Sequence, residues 1–217
     1  QMYKHDYPGK LIVFCGLDGN GKTTQINLLK TYLDYRNKSY VCTKQPTNFV
    51  RASDIFRTYM DQEDHSAYDY LALSLLCASD RVQHSNHMIV SELKKGNIVL
   101  CDRYYYSCLA NLVARGYKTQ RWIYEIAQEI PEPDLSFFMD VTVDAAIARV
   151  RARPEEHDRY IDIELQHRLR KTFLDIAEKI DFFNELPEYI EMSVKDDIGI
   201  NELRNKIKEI FNLEKIE

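Results

Sequence analysis

Residues 16–23 read GLDGNGKT, and this motif constrains the fold of the chain more than any other feature. It stands between an apolar run, Lys10–Cys15, and a stretch from 22 to 36 whose apolar residues recur at helical spacing. The pattern G-x-x-x-x-G-K-[ST] between a strand and a helix is typical of a phosphate-binding loop. Its glycines let several backbone N–H groups turn toward one anion, and the helix N-terminus favours negative charge. The sequence therefore predicts a phosphate cradle made by Gly16, Asp18, Gly19, Asn20, Gly21, Lys22, Thr23 and Thr24.

Two pairs of residues in the sequence have the chemistry needed around a nucleotide triphosphate. The amine of Lys22 would reach the β- and γ-phosphates of ATP, and the hydroxyl of Thr23 would ligate Mg²⁺. Asp102 and Arg103 follow the apolar run 98–101 directly, so they stand at the tip of a predicted strand. An aspartate there can hold Mg²⁺ or its water ligands, and an arginine beside it can neutralise a second phosphate. We therefore expect ATP and Mg²⁺ as cofactors, with Lys22, Asp102 and Arg103 in catalytic roles.

Apolar runs alternate with amphipathic stretches along the whole chain. Continuous apolar runs separated by helical stretches are typical of a parallel sheet that is covered on both faces. The sequence therefore predicts an α/β fold, a three-layer sandwich with a five-stranded parallel sheet flanked by helices, within a single domain spanning residues 1–217. The predicted strands are 10–15, 40–44, 98–101, 135–141 and 189–192. The predicted helices are 22–36, 67–95, 105–115, 119–130, 143–153, 162–184 and 200–212. Ligands should bind at the carboxyl ends of the strands.

Composition narrows the classes of function that the chain can have. A formal net charge of −5 argues against a broad basic surface for a nucleic-acid polymer. No apolar run reaches the roughly 18 residues that a membrane span requires, and no charged leader precedes an apolar segment. The five cysteines lack the paired C-x-x-C spacing of zinc sites, so we expect reduced thiols. These features predict a soluble cytoplasmic protein that acts on a small molecule.

The motifs as a set resemble those of thymidylate kinases, a family of nucleoside monophosphate kinases, over nearly the whole chain. The segments that carry the resemblance are FCGLDGNGKTTQ at 14–25, LLCASDRVQH at 75–84, Asp102-Arg103-Tyr104 with Ser107 and Ala110, PDLSFFMDV at 133–141, and Arg149-x-Arg151-x-Arg153 leading to Asp158-Arg159. The resemblance implies transfer of a phosphoryl group from ATP to dTMP and a homodimeric assembly. It further implies that Asp18 contacts the acceptor's sugar hydroxyl, that Arg103 holds its phosphate, and that Arg81 reaches both base and phosphate. Ser107, Asn111 and Lys44 are the other acceptor contacts it implies.

The resemblance also implies a lid, a short segment at about 150–160 that closes over ATP. Arg149 would contact ATP there. Because the loop has Gly19 where some members of the family carry an arginine, this chain is similar to the type that supplies its catalytic arginine from the lid. Arg153 and Arg159 are the two candidates, since such residues stabilise charge on the transferring phosphoryl group.

The sequence departs from the family pattern at four places, all close to the expected site. Cys15 replaces a glutamate, and Lys44-Gln45-Pro46-Thr47 replaces an Arg-Glu-Pro-Gly type segment. Cys77 stands where the family places the ring that stacks on thymine, and Asn111-Leu112 replaces Tyr-Gln. The candidates for a replacement ring are Phe49, Tyr68, Tyr70, Tyr105 and Tyr106, and packing in the core is the alternative role for each.

These departures leave other functions open. One is a kinase for a modified pyrimidine nucleotide, and another is a kinase for a deoxynucleoside hydroxyl, which would benefit from a general base that Gln45 cannot provide. A protein that binds ATP without turnover is a third. A GTPase is disfavoured because the Asn-Lys-x-Asp guanine motif is absent from the sequence.

Replacing Lys22 by Ala should abolish phosphoryl transfer and leave the fold intact. The change removes a charge that stabilises the transition state, so we expect a loss of kcat of at least about 100-fold. Steady-state ADP release measures the loss, and thermal melting checks the fold. A variant that keeps most of its turnover would contradict the assignment of the loop.

Overall fold

The computed structural model describes residues 2–117 and 120–179, and the predicted α/β architecture is confirmed. Within these residues one parallel sheet has four strands in the order β2-β3-β1-β4. The strands are β1 (Lys10–Cys15), β2 (Tyr40–Lys44), β3 (Ile98–Asp102) and β4 (Leu135–Phe138). The strand predicted at 135–141 thus ends three residues early, and the fifth predicted strand, 189–192, lies outside the described residues. That residues 1–217 form one domain stays a prediction.

Nine α-helices connect and cover the strands in the described ranges. They are α1 (Lys22–Tyr35), α2 (Asn48–Arg51), α3 (Asp54–Asp61), α4 (Tyr70–His84), α5 (Val90–Lys94), α6 (Tyr105–Ala114), α7 (Arg121–Ala127), α8 (Val143–Arg151) and α9 (Ile163–Lys179). A π-helical turn, Ser85–Ile89, joins α4 to α5, and a 3₁₀ turn, Pro154–Glu156, follows α8. No helix of residues 2–117 or 120–179 is long and apolar enough to cross a membrane.

The helix predictions need correction in two respects. The single helix predicted over 67–95 begins at Tyr70, because the carboxylate of Asp69 accepts a hydrogen bond from Leu71 N at 2.7 Å and caps it there. It is then interrupted by the π-helical turn. The short helices α2 and α3 were not predicted, although Ser53 caps α3 by accepting from Phe56 N at 3.3 Å. The predicted helix 200–212 and the end of the one at 162–184 lie outside the described residues.

The core is formed by strands that are buried on both faces. β1, β3 and β4 are apolar and buried almost throughout, as expected for a parallel sheet between two helical layers. Phe14 and Phe137 stack across β1 and β4 at 5.5 Å, and Phe138 stacks on Phe173 of α9 at 5.1 Å. Since all four strands run in the same direction, their carboxyl ends lie along one edge, which carries residues 16–23, Lys44 and Asp102.

The opposite edge of the sheet is held by the carboxylate of Asp134. It accepts a hydrogen bond from Leu11 N at 2.8 Å and lies 3.1 Å from His5 Nε2 and 3.5 Å from Lys10 Nζ. Tyr3 adds a bridge to Pro131. This carboxylate therefore ties the segment before β1 to the start of β4.

We expect Asp134→Ala to lower the free energy of unfolding by about 1–3 kcal/mol, because it leaves the buried Leu11 N–H without an acceptor. Chemical denaturation measures the change. Glu164→Ala is the matched control. The side chain of Glu164 is 90% exposed and as far as 4.0 Å from Arg168 Nη1, so its removal should change the free energy of unfolding little. Equal stabilities for the two variants would contradict the role of Asp134.

Candidate active site

The loop after β1 has the backbone geometry of an anion cradle. Gly16, Gly19 and Gly21 all have positive φ angles, of 131°, 79° and 90°. A Cβ on Gly19 would lie 2.2 Å from the carbonyl oxygen of Ala146 in α8, so only glycine fits there. Asn20 is buried and its amide donates to Cys15 O at 3.2 Å and Met139 O at 2.9 Å. The loop is thus fixed between the ends of β1 and β4 and against α8.

Lys22 is buried at the start of α1, and its amine lies close to three oxygen atoms. Its Nζ lies 3.2 Å from Asn20 Oδ1, 3.5 Å from Leu17 O and 4.0 Å from Asp102 Oδ1. Burial, together with the positive charge of Arg103, lowers the pKa of Lys22 to about 8. An anion bound in the loop would favour the charged amine of Lys22, because its negative charge would offset both the loss of hydration and the repulsion by Arg103.

Asp102 and Thr23 have the character of a magnesium site. Oδ1 of Asp102 is buried without a hydrogen-bond partner in the described part of the chain, and Thr23 lines the same cleft. The residues described include no cluster of three His, Cys, Asp or Glu side chains that could hold a metal ion alone. This fits Mg²⁺, which is commonly bound through one or two protein oxygens, with water and phosphate oxygens as its other ligands.

Asp18 connects two arginines that are distant in the sequence. Arg103 donates one hydrogen bond to an oxygen of Asp18 and another to Gly16 O at 2.8 Å, and its own φ is 65°. Arg159 Nη2 donates to the other oxygen of Asp18 at 3.2 Å. Burial alone would raise the pKa of Asp18, but the charges of Arg103, Lys22 and Arg159 outweigh it and hold the pKa well below its usual range. Asp18 therefore stays ionised and fixes both guanidinium groups.

The arginines at 149, 153 and 159 differ in how firmly they are held near the loop. Arg149 Nη1 donates to Gly19 O at 3.3 Å. Glu156 accepts from Arg153 at 2.7 Å and from Arg159 at 3.0 Å. The side chain of Arg153 is 44% exposed and that of Arg159 only 13% exposed. Arg159 is thus the more firmly positioned of the two predicted catalytic arginines.

The residues after Gly16 that are predicted to bind ATP or the metal ion all line one cleft, which we call the loop cleft. It is lined by Asp18, Gly19, Asn20, Gly21, Lys22, Thr23, Thr24, Asp102, Arg103, Arg149, Arg153 and Arg159. Lys44 also lines this cleft, and its side chain is exposed.

A second pocket lies between α4 and α6, and we call it the α4–α6 pocket. Five of the six predicted acceptor contacts line it, namely Asp18, Arg81, Arg103, Ser107 and Asn111, and Lys44 does not. Arg81 is 3% exposed, and neither its Nε nor Ser107 Oγ has a hydrogen-bond partner among the described residues. Polar atoms buried in this way commonly bind ordered water or an ion, or have a functional role. The pocket therefore has unsatisfied donors on both of its helical walls.

The structure places the rings around this pocket differently from the sequence-based expectation. Cys77 lines the pocket and packs against the small apolar cluster that includes Phe56. Among the five candidate rings, only Tyr70 lines the pocket. Phe56 and Tyr59 of α3 also line it, and they were missed because α3 itself was missed.

Arg51 is a site residue that the sequence reasoning did not identify. It lines both the loop cleft and the α4–α6 pocket, and its Nε donates to Pro46 O at 2.6 Å. Thr47 holds the same turn through two hydrogen bonds to Asp80, from N at 2.7 Å and from Oγ1 at 2.5 Å. The signal available in the sequence was weak, because Arg51 stands at the end of a four-residue helix and belongs to no motif.

Comparisons with known proteins point to one family. A family model described as thymidylate kinase matches residues 14–198. A probable thymidylate kinase of Pyrococcus horikoshii is 36% identical over 174 residues, which cover 78% of this chain and 83% of the relative. A thymidylate kinase of Desulfotalea psychrophila is 34% identical over 174 residues, with coverage of 78% and 83%. Probable thymidylate kinase 1 of Saccharolobus solfataricus is 30% identical over 192 residues, with coverage of 86% and 95%.

The pKa of Lys22 predicts how the affinity for ATP depends on pH. Phosphate binding favours the charged amine, so above pH 8 the nucleotide-free protein must take up a proton when it binds ATP. We expect Kd to rise by roughly tenfold per pH unit above about pH 8. Calorimetric titration with a non-hydrolysable ATP analogue between pH 7 and 9.5 measures this dependence.

The matched control for this titration is Lys22→Arg, because a guanidinium stays charged throughout the range. Its Kd should change little with pH. If the two proteins show the same slope, the titrating group is not Lys22.

Proposed function

Because this chain belongs to the thymidylate kinase family, we propose that it transfers the terminal phosphoryl group of ATP to dTMP and releases ADP and dTDP. One observation carries the proposal: the loop cleft and the α4–α6 pocket share a common wall. The residues that line both are Asp18, Arg51, Phe56, Met60, Arg103 and Arg159. A donor phosphate in the first and an acceptor phosphate in the second would therefore meet beside three arginines, which is the arrangement that direct transfer requires.

The loop cleft would bind the phosphates of ATP. The N–H groups of the loop and the buried Lys22 supply fixed positive charge, which stabilises the transferring phosphoryl group without reorganisation during the reaction. Mg²⁺, held by Thr23 and Asp102, would neutralise further phosphate charge when bound. Asp102 Oδ1 supports this role, since it is buried and has no hydrogen bond within the described ranges.

The α4–α6 pocket would bind the acceptor nucleotide. Arg51 and Arg103 lie where the acceptor phosphate would enter, and Asp18 is the expected partner of the sugar hydroxyl. A phosphate monoester already carries negative charge at neutral pH, so this acceptor needs no general base. The side-chain amide of Gln45 is 2.9 Å from His84 Nδ1 and 3.0 Å from Ser85 Oγ, which argues against a catalytic role toward a nucleoside hydroxyl.

The lid would complete the site through Arg159. Its guanidinium already lies against Asp18 on the shared wall, whereas the guanidinium of Arg153 forms an ion pair with Glu156 in the lid itself. We therefore assign stabilisation of the transferring phosphoryl group to Arg159 and an outer role over ATP to Arg153. The dependence on Mg²⁺, the homodimer and the cytoplasmic location stay predictions from the sequence.

The proposal is tested by ADP release from purified protein with ATP and a panel of acceptors. The panel consists of dTMP, dUMP, dCMP, thymidine and no acceptor, each with Mg²⁺ and with excess chelator. We expect turnover with dTMP and Mg²⁺ that exceeds turnover with thymidine by at least about 100-fold, since thymidine lacks the phosphate that the arginines bind. The chelated samples should be inactive.

Two results would contradict the proposal. Turnover with thymidine equal to that with dTMP would indicate a deoxynucleoside kinase. ATP binding without ADP release in any sample would indicate a protein that binds the nucleotide without turnover.

A further inference from the structure

The α4–α6 pocket is a long trough between two helices that run in opposite directions. At one end Arg81 of α4 lies against Cys108 of α6, and at the other Tyr70 of α4 lies against Arg115. Tyr70 and Arg81 are eleven residues apart on the same helix, which corresponds to about 16 Å. The trough therefore extends well beyond the shared wall where the phosphates would meet.

At the far end of the trough, the guanidinium of Arg115 packs on tyrosine rings. The guanidinium carbon of Arg115 lies 4.2 Å from the ring centre of Tyr70 and 5.5 Å from that of Tyr59. Tyr59 contacts Tyr70 edge to face at 5.2 Å, and Tyr117 stacks on Tyr70 at 6.0 Å. Stacking on an aromatic ring is a strong way to fix a guanidinium plane while its N–H groups stay available.

Arg115 makes no hydrogen bond or ion pair through its side chain within the described residues. Its Nε is buried and has no partner there. Asp162 lines the trough and Asp69 caps α4, but neither carboxylate forms an ion pair with Arg115 within the described residues. A half-buried cation without an anion is costly for the free protein, and such groups commonly mark a place where a ligand supplies the counter-charge.

The interval between the two ends is lined by small side chains. Ser74 and Cys77 line it from α4, and Cys108 and Asn111 line it from α6. Because residue 77 is a cysteine, no ring projects into the interval from that position. The hydroxyl of Tyr70 does reach the interval, where it lies near Ser74. A group attached to the base would therefore reach Arg115 along the edge of the Tyr70 ring.

We infer that this enzyme accepts, besides dTMP, a pyrimidine nucleotide whose base carries an anionic substituent, and that Arg115 binds that substituent. This inference rests on the proposed function, since it concerns the acceptor of the same reaction. The substituent would form charge-assisted hydrogen bonds with the guanidinium, which are stronger than those of a neutral group of the same shape. Arg115 is then a specificity-determining residue at the end of the trough opposite the phosphates.

The test compares two acceptors that match in shape and differ in charge, 5-carboxymethyl-dUMP and 5-carbamoylmethyl-dUMP, with dTMP as reference. For the wild-type protein we expect kcat/KM to be about 10-fold higher with the carboxylate than with the amide. Arg115→Gln should bring this ratio close to one and reduce turnover of dTMP less than turnover of the carboxylate. Arg115→Lys should keep part of the preference, because it keeps the charge and loses the planar donor pair.

Arg168→Gln is the matched control. Arg168 Nε donates to Ala114 O at 3.0 Å, next to Arg115 on the same helix end, but its side chain does not line the trough. The control should keep the wild-type ratio of kcat/KM between the carboxylate and the amide. Its melting temperature shows how much stability is lost when an arginine is removed from this region.

Three results would overturn the inference. A wild-type ratio near one with intact turnover of dTMP would refute it and leave the proposed function standing. Equal losses for all three acceptors in Arg115→Gln, together with a lowered melting temperature, would show that Arg115 only holds α4 and α6 together. Absence of turnover with every acceptor would refute the proposed function, and this inference with it.

Discussion

The contact of Asp18 with Arg103 and Arg159 is the interaction on which the rest of the site depends. One carboxylate, kept ionised by the cations around it, holds a guanidinium from the end of β3 and another from the segment after α8. Without nucleotide, three positive charges, those of Arg103, Arg159 and Lys22, lie close together around this carboxylate. Asp18 offsets part of their repulsion and fixes the arginines in the positions where phosphates would need them.

The sheet makes this contact possible by collecting residues from distant parts of the chain. β1 ends at the loop and β3 ends at Asp102, and the register pairs Phe14 with Asp102. Arg103 follows immediately, and its N–H donates to Phe14 O at 2.7 Å, so its position is set by the ladder between the two strands. The precision needed for phosphoryl transfer therefore comes from parallel strand pairing in the core and not from flexible loops.

Much of this architecture could be predicted from the sequence because its signals are local. The glycine-rich loop, the apolar strands and Asp102-Arg103 each occupy a few adjacent residues whose meaning depends little on the rest of the chain. The choice between Arg153 and Arg159 was different, since it depends on a contact between residues 141 positions apart, Asp18 and Arg159. Arg51, Phe56 and Tyr59 were missed for a related reason: α2 and α3 are too short for periodicity to identify them.

The π-helical turn at Ser85–Ile89 has a consequence for the orientation of α4. A π-helical turn closes its hydrogen bonds one residue later than an α-helical turn, so α4 and α5 are out of phase by about one residue, or roughly 100°. Ile89 and Leu93 are fully buried in the main core, while Arg81, Cys77 and Ser74 line the pocket. In a continuous α-helix, with about 100° of rotation per residue, Ile89 and Leu93 would point roughly 100° away from the three pocket residues. The turn thus acts as a phase adjustment, which brings the core residues that follow it to the same side of the helix as the pocket residues that precede it.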